Sequence, residues 1–414
     1  MRHVIIGSGP AGVTAAETLR KADPACDITL LQGEPGVPYA RMAIPYLLAG
    51  KIDVAGTHMR QSPGHYDRKH IRLLQGRART VDHVAGQVVL EDGRALPYDK
   101  LLVASGATPS LQKMPGIELP GVHTCWTLGD VHTFSEIMKP GTRVVQMGAG
   151  FVGCVIMRGL VSLGVDLTIL VRSGRMVSRM MNPTASGLIR SWCQAKGVRV
   201  RVNTLPVELR PADGALRVVL GDGEELPADV YLCLVGVKPS IGFLAESGVV
   251  SGNGIFVDAS MRTNVPGIYA AGDVAESADC VTGARMVNAI QPNAVEQGRI
   301  AALSMAGREA TSRGTFAFNV LDTLGLLSYS FGAWQGLEGG ESTEVLDGDR
   351  FRYLRLEFLE DRLVGANCVG FTQHAGALRG LIEGRVRLGA WKRRLAEDPT
   401  RLVEAYLAQA RRAV

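Results

Sequence analysis

The seven cysteines (26, 125, 154, 193, 233, 280 and 368) include no C-x-x-C pair. That excludes a zinc-ribbon or disulfide framework and suits scattered, reduced thiols in a cytoplasmic protein. No run of 18 uninterrupted apolar residues occurs, so no membrane span is expected. Little precedes the first strand: Arg2-His3-Val4-Ile5-Ile6 runs straight into a glycine turn, and neither a signal nor a transit peptide is expected. Charge of one sign is also scarce, with a net +5 over 414 residues. The basic runs Trp391-Lys392-Arg393-Arg394 and Arg411-Arg412 therefore read as solvated helix ends, and nucleic acid is not an expected partner. His65, His70, His123, His132 and His374 show no ligand spacing, and no metal is expected.

The composition is that of a globular protein, with 46% hydrophobic and 21% charged residues. Its length predicts two or three domains. Two glycine patterns organise the chain. Gly7, Gly9 and Gly12 follow the strand Val4-Ile5-Ile6 and open a helix through Pro10 and Ala11. In such an elbow the first glycine permits the tight turn, the second admits a pyrophosphate to the backbone, and the third lets helix and strand pack closely. A second strand, Asp27-Ile28-Thr29-Leu30-Leu31, leads to Glu34, 22 residues past Gly12, where a carboxylate can accept the ribose hydroxyls of an adenosine.

The second elbow, Gly148, Gly150 and Gly153, lies about 140 residues on and has a different sequel. After Leu167-Thr168-Ile169-Leu170, the acid position is occupied by Val171 and Arg172. A missing carboxylate removes the 2′-hydroxyl acceptor, and Arg172 and Arg175 suit a 2′-phosphate, which favours NADPH over NADH. Beyond residue 305, Phe351-Arg352-Tyr353-Leu354-Arg355-Leu356-Glu357-Phe358 alternates as a strand. A turn at Asp361-Arg362 then predicts an antiparallel hairpin, and the last 40 residues read as helices.

Further motifs carry a family resemblance. The run Tyr98-Asp99-Lys100-Leu101-Leu102-Val103-Ala104-Ser105-Gly106-Ala107-Thr108-Pro109 resembles the linker of the flavoproteins with two dinucleotide-binding domains. Asp258, Met261-Arg262-Thr263 and Ala271-Gly272-Asp273-Val274 resemble their second FAD motif, and Asn293-Ala294-Val295-Glu296-Gln297-Gly298-Arg299 resembles the helix that follows. The resemblance implies an α/β fold of two Rossmann-like domains plus a C-terminal α+β domain. It implies an FAD domain at 1–113 and 241–305, an NAD(P) domain at 114–240, and an interface domain at 306–414 in a homodimer. It places FAD on the first elbow with Glu34, Arg41, Ala104, Ser105, Gly106, Gly272, Asp273, Glu296 and Gln297. Asp273 would meet the ribityl chain, and the start of the helix bearing Glu296 would face the flavin pyrimidine edge, where a helix N-terminus favours negative charge.

Within the family, Arg41-Met42-Ala43-Ile44-Pro45-Tyr46 is similar to the redox-cysteine segment of NADH oxidases and coenzyme A disulfide reductases, but Met42 stands where the cysteine would be. A thioether cannot form an attacking thiolate. Pro38-Tyr39-Ala40-Arg41 resembles ferredoxin and rubredoxin reductases and the nitrite reductase large subunit. The expected reaction is hydride transfer from NAD(P)H to FAD, then electron transfer to a small ferredoxin- or rubredoxin-type protein. The motifs single out no catalytic residue. Tyr46, Val155 and Gln291 replace the lysine, glutamate and aromatic residue of many cysteine-free members. Two other readings therefore stay open: a flavoprotein with an impaired nicotinamide site acting as an assembly partner, and a disulfide or persulfide reductase.

Overall fold

The computed structural model describes residues 1–371, 373 and 375–410; His374 and the pair Arg411-Arg412 lie outside the described residues. The chain forms two compact units. The first comprises Met1–Ala43, Ile52–Thr108 and Val237–Thr315; the second comprises Ile44–Lys51, Pro109–Gly236 and the chain from Phe316 onwards. The segments expected to bind NAD(P) and to form the C-terminal domain thus share the second unit.

Each unit contains a five-stranded parallel sheet, and four of the five strands are wound alike. In the first, the strand order is Ile268–Ala270, Lys100–Val103, Arg2–Ile6, Asp27–Gln32 and Ile71–Gln75. In the second it is Arg199–Val202, Asp166–Val171, Arg143–Met147, Val230–Cys233 and Val122–His123. Strands of a parallel sheet covered on both faces need apolar residues at successive positions. The runs Val4-Ile5-Ile6 and Leu101-Leu102-Val103 meet that need and are buried throughout. In both sheets the strand that enters the glycine elbow, Arg2–Ile6 or Arg143–Met147, is central, so the chain order reverses there and opens a crevice at its carboxyl end. A three-stranded antiparallel sheet accompanies each: Ala78–Asp82, Gln87–Leu90 and Ala95–Pro97 in one unit, Pro206–Ala212, Ala215–Leu220 and Glu225–Ala228 in the other.

The chain after Phe316 builds a five-stranded antiparallel sheet in the order Phe318–Thr323, Leu326–Gly332, Arg362–Val369, Arg352–Leu359 and Glu341–Asp347. The expected hairpin pairs Arg352–Leu359 with Arg362–Val369, and its turn falls at Glu360 and Asp361, with Glu360 in the left-handed region at φ 53°. Helices Ala375–Glu383, Ala390–Glu397 and Leu402–Ala410 follow. Trp391 lies under the guanidinium groups of Arg394 and Arg401, 4.8 and 5.3 Å from its ring centroid, so it packs within its own helical module.

Candidate functional site

Both glycine elbows sit at the carboxyl end of a central strand, and their geometry is nearly superposable in kind. Gly7 has φ 109° and Gly148 φ 107°. A Cβ on Gly7 would lie 2.2 Å from the Ala104 carbonyl oxygen, and one on Gly148 2.2 Å from that of Leu234. Only glycine tolerates both that backbone and that approach. The third glycines are equally constrained, with a Cβ on Gly12 1.9 Å from Gly7 O and one on Gly153 2.6 Å from Gly148 O. The middle glycines differ: nothing lies within 4 Å of a Cβ on Gly9 or Gly150. That open side, at the start of helices Pro10–Ala22 and Phe151–Ser162, is where backbone amides meet an incoming anion.

Around the first elbow, Ala104 supplies packing, and its N–H bonds Ile6 O at 2.8 Å. Ser105 Oγ donates to Ser240 O at 2.7 Å, and Ser240 N–H returns a bond to Gly106 O at 2.9 Å. Ala11 is buried against Gly298, whose Cβ would stand 2.3 Å from Ala11 O, and Gly272 faces Ala11 from the other strand end. The Gly272 N–H donates to Gln297 Oε1 at 2.8 Å, while Gln297 Nε2 donates to Ser277 Oγ at 3.2 Å. Asp273, next along, is half-buried, and its carboxylate makes no hydrogen bond among the described residues. Burial raises its pKa above the ordinary carboxylate value, opposed by the charge of Arg41. An unpaired, desolvated carboxylate beside an open glycine cradle fits the hydroxyl-rich chain of FAD.

The Glu34 carboxylate receives hydrogen bonds from Tyr39 Oη, at 2.6 Å, and from the Arg41 guanidinium. Tyr39 thus joins the set, unseen in the sequence because its contact depends on the loop folding back. A cavity of about 310 Å³ opens beside this loop, between Pro10 and Val13 of the first helix and Gln291 and Val295 of another. That second helix spans Gln291–Met305 with proline at its first turn, so it begins five residues before Glu296. The N-terminal turn is formed by Gln291, Pro292 and Asn293, so these residues, and not Glu296, stand at the start of the helix. Glu296 is exposed and pairs with Arg299 at 2.7 Å, and Gln297 points inward. Proline in the first helical turn was the available signal.

At the second elbow, Arg172 is exposed and Arg175 half-buried, and neither forms an ion pair among the described residues. Gln146, on the strand entering the elbow, is fully buried and donates from Nε2 to Gly148 O at 2.8 Å and to Gly153 O at 3.3 Å. Sequence reasoning passed over it as an ordinary strand residue. Met42 is 47% exposed and Tyr46 53% exposed, whereas all seven cysteines are buried. Burial pushes the thiols of Cys193 and Cys368 up to about 12, which leaves them protonated at neutral pH. No described helix is long and apolar enough to cross a membrane.

Two parallel sheets that share a four-strand winding, each with a phosphate-ready glycine elbow, define an oxidoreductase with two dinucleotide-binding folds. Residues 1–309 match the pyridine nucleotide-disulphide oxidoreductase family, and the chain belongs to it. The family depends on FAD and a pyridine nucleotide, and the chain is an FAD-dependent NAD(P)H oxidoreductase. It is 28% identical over 411 residues to the NADH-dependent phenylglyoxylate dehydrogenase subunit epsilon of Aromatoleum evansii, covering 99% of this chain and 97% of that one. It is 32% identical over 388 residues to the rhodocoxin reductase of Rhodococcus erythropolis, covering 92% and 89% respectively. Its fold matches the reductase in the covalent putidaredoxin reductase–putidaredoxin complex with a TM-score of 0.91, 23% identity and 99% coverage of both chains.

Proposed function

We propose that the protein takes hydride from NAD(P)H and passes the electrons one at a time to a small iron–sulfur or rubredoxin-type protein, without a redox cysteine. FAD, when bound, supplies the conversion from a two-electron donor to a one-electron acceptor. The residues of this chain hold and bias it. Gly7, Gly9 and Gly12 with Pro10 and Ala11 present the amides at the start of helix Pro10–Ala22 to the pyrophosphate. Glu34, oriented by Tyr39 and Arg41, accepts from the adenosine ribose, and Asp273 accepts from the ribityl chain. Ala104, Ser105, Gly106 and Gly272 shape the cradle, and Gln297 fixes the Gly272 turn. The first turn of helix Gln291–Met305 directs its positive end to the site. Gly148, Gly150 and Gly153 hold the nicotinamide dinucleotide, with Arg172 and Arg175 favouring the 2′-phosphate of NADPH.

The observation that carries this reading is the pairing of two open elbows with Met42 where a thiol-based reductase would need a nucleophile. The test is anaerobic stopped-flow reduction of the flavin-loaded protein. NADPH is expected to bleach the band near 450 nm faster than NADH, and added ferredoxin or rubredoxin to restore it. Absence of bleaching by either coenzyme over minutes would overturn the reading.

A second reading has one specific support. The similarity to a dehydrogenase subunit spans nearly the whole of both chains, and Tyr46, Val155 and Gln291 alter the expected nicotinamide surroundings. On this reading the protein is the flavin subunit of a larger oxidoreductase. Stable co-purification with other polypeptides, together with slow coenzyme reduction of the isolated chain, would select it. In either case we assign residues 306–414 to a homodimer interface, which mass photometry of the purified protein checks directly.

A further inference from the structure

At the amino end of strand Arg2–Ile6, opposite the elbow, three potential ligands converge. His3, Asp23 and Cys26 each bring a donor atom into one cluster, all within 4.8 Å of one another. His3 belongs to the strand, Asp23 caps the carboxyl end of helix Pro10–Ala22, and Cys26 precedes strand Asp27–Gln32. The imidazole of His3 is 1% exposed, yet neither Nδ1 nor Nε2 has a hydrogen-bond partner. That is the anomaly. A neutral imidazole carries one N–H and one lone pair, and a buried ring ordinarily satisfies at least one of them. Cys26 is 3% exposed, and its thiol points to Asp23 O at 3.1 Å. One carboxylate oxygen of Asp23 accepts the Ala25 N–H at 3.1 Å, and the residue is half-buried, so the cluster is reached from solvent on that side.

We propose that His3, Asp23 and Cys26 form a zinc site, independent of the flavin. A nitrogen, a thiolate and a carboxylate are the donor set of a borderline-soft divalent ion. Imidazole, thiolate and carboxylate together carry two negative charges, which Zn²⁺ neutralises, as a buried site requires. Binding replaces the S–H bond of Cys26 with S–Zn, and one proton leaves to solvent for each ion bound. Tetrahedral bonds of about 2.0–2.3 Å demand donor atoms somewhat closer than the present cluster. The side chains therefore close on the ion, with water completing the fourth position at the exposed edge. The site ties together strand Arg2–Ile6, the end of helix Pro10–Ala22 and the start of strand Asp27–Gln32.

The test uses the full-length, flavin-loaded protein, stripped with a chelator and titrated with ZnCl₂ alone. One zinc per chain is expected at about micromolar free ion or below, with release of about one proton. X-ray absorption at the zinc edge should show one sulfur at about 2.3 Å among nitrogen and oxygen neighbours at about 2.0–2.1 Å. Cys26→Ser and His3→Gln should each weaken retention at least about tenfold, with the flavin-to-protein ratio unchanged. Failure of the wild-type chain to retain zinc, a sulfur-free spectrum, or retention by both variants equal to that of the wild type would overturn the site. The spectrum needs no variant, so poor folding of His3→Gln leaves the test intact. The flavin ratio is read separately, so the outcome does not depend on the proposed function.

Discussion

The half-buried Asp273 and the fully buried Gln146 have opposite needs, and each makes a prediction at the scale of one side chain. Asp273 is desolvated, and its raised pKa means that the folded apoprotein binds its proton more tightly than the unfolded chain does. A carboxylate shifted in that direction favours the folded state below its unfolded pKa and loses that contribution as pH rises through the folded value. At neutral pH it therefore costs the apoprotein stability. Asp273→Asn should raise the thermal midpoint of the flavin-free protein at pH 7, with a smaller gain near pH 4, and should lower the flavin retained after gel filtration. A variant with unchanged midpoint and full flavin content would remove Asp273 from the site. Gln146 holds the carbonyls of Gly148 and Gly153 with its amide nitrogen, while its Oε1 is buried without a partner. Gln146→Leu removes that unsatisfied acceptor but also takes the donor from two carbonyls, so it should cost about 1–3 kcal/mol of stability. The looser elbow should weaken NADPH binding roughly tenfold, about 1.4 kcal/mol. Equal affinity in a titration would mean that Gln146 only fills space.

Among the elements, the helices Pro10–Ala22 and Gln291–Met305 carry the first site, and their contact rests on glycine. A Cβ on Gly298 would stand 2.3 Å from the Ala11 backbone oxygen, a clash that no rotamer relieves. Gly298→Ala should push the helices apart, cost about 1–3 kcal/mol in denaturant unfolding, and reduce flavin content because Ala11 belongs to the elbow. A variant as stable as wild type would show that the helices can separate freely. The elbows themselves were legible in sequence because the steric demands on Gly7, Gly12, Gly148 and Gly153 leave almost no alternative residue. The hairpin of Arg352–Leu359 with Arg362–Val369 was legible because its alternation matches the pleat. The start of helix Gln291–Met305 was not, because the family motif runs from Asn293 to Arg299 and leaves Gln291 and Pro292 outside it. The partners of Glu34 were hidden for a different reason: Tyr39 and Arg41 reach it only through a folded loop, and spacing along the chain carries no trace of that. The His3, Asp23 and Cys26 cluster was illegible too, since its members become neighbours only where a strand start, a helix end and the next strand start meet.

For the whole molecule, the repeated winding of the two parallel sheets explains why one chain serves two dinucleotides, and net charge bears on what happens after reduction. The chain carries 45 basic and 40 acidic residues, a formal +5. A net positive protein attracts an acidic carrier over distances of about a Debye length, near 10 Å at 0.1 M salt, and this acts on encounter rather than on the bound complex. If the acceptor is an acidic iron–sulfur or rubredoxin-type protein, kcat/KM for that carrier should fall about tenfold between about 0.02 and 0.3 M NaCl. The flavin bleaching rate at saturating NADPH should hardly move, because chemistry within the formed complex does not pass through the encounter. A basic acceptor such as cytochrome c provides the control, since its rate should rise or stay level as salt screens the repulsion. Salt-independent turnover with the acidic carrier, or the same fall with the basic one, would argue against steered delivery to a soluble carrier. It would favour transfer inside a stable multi-subunit assembly, where the acceptor is already in place and long-range attraction has nothing left to accelerate.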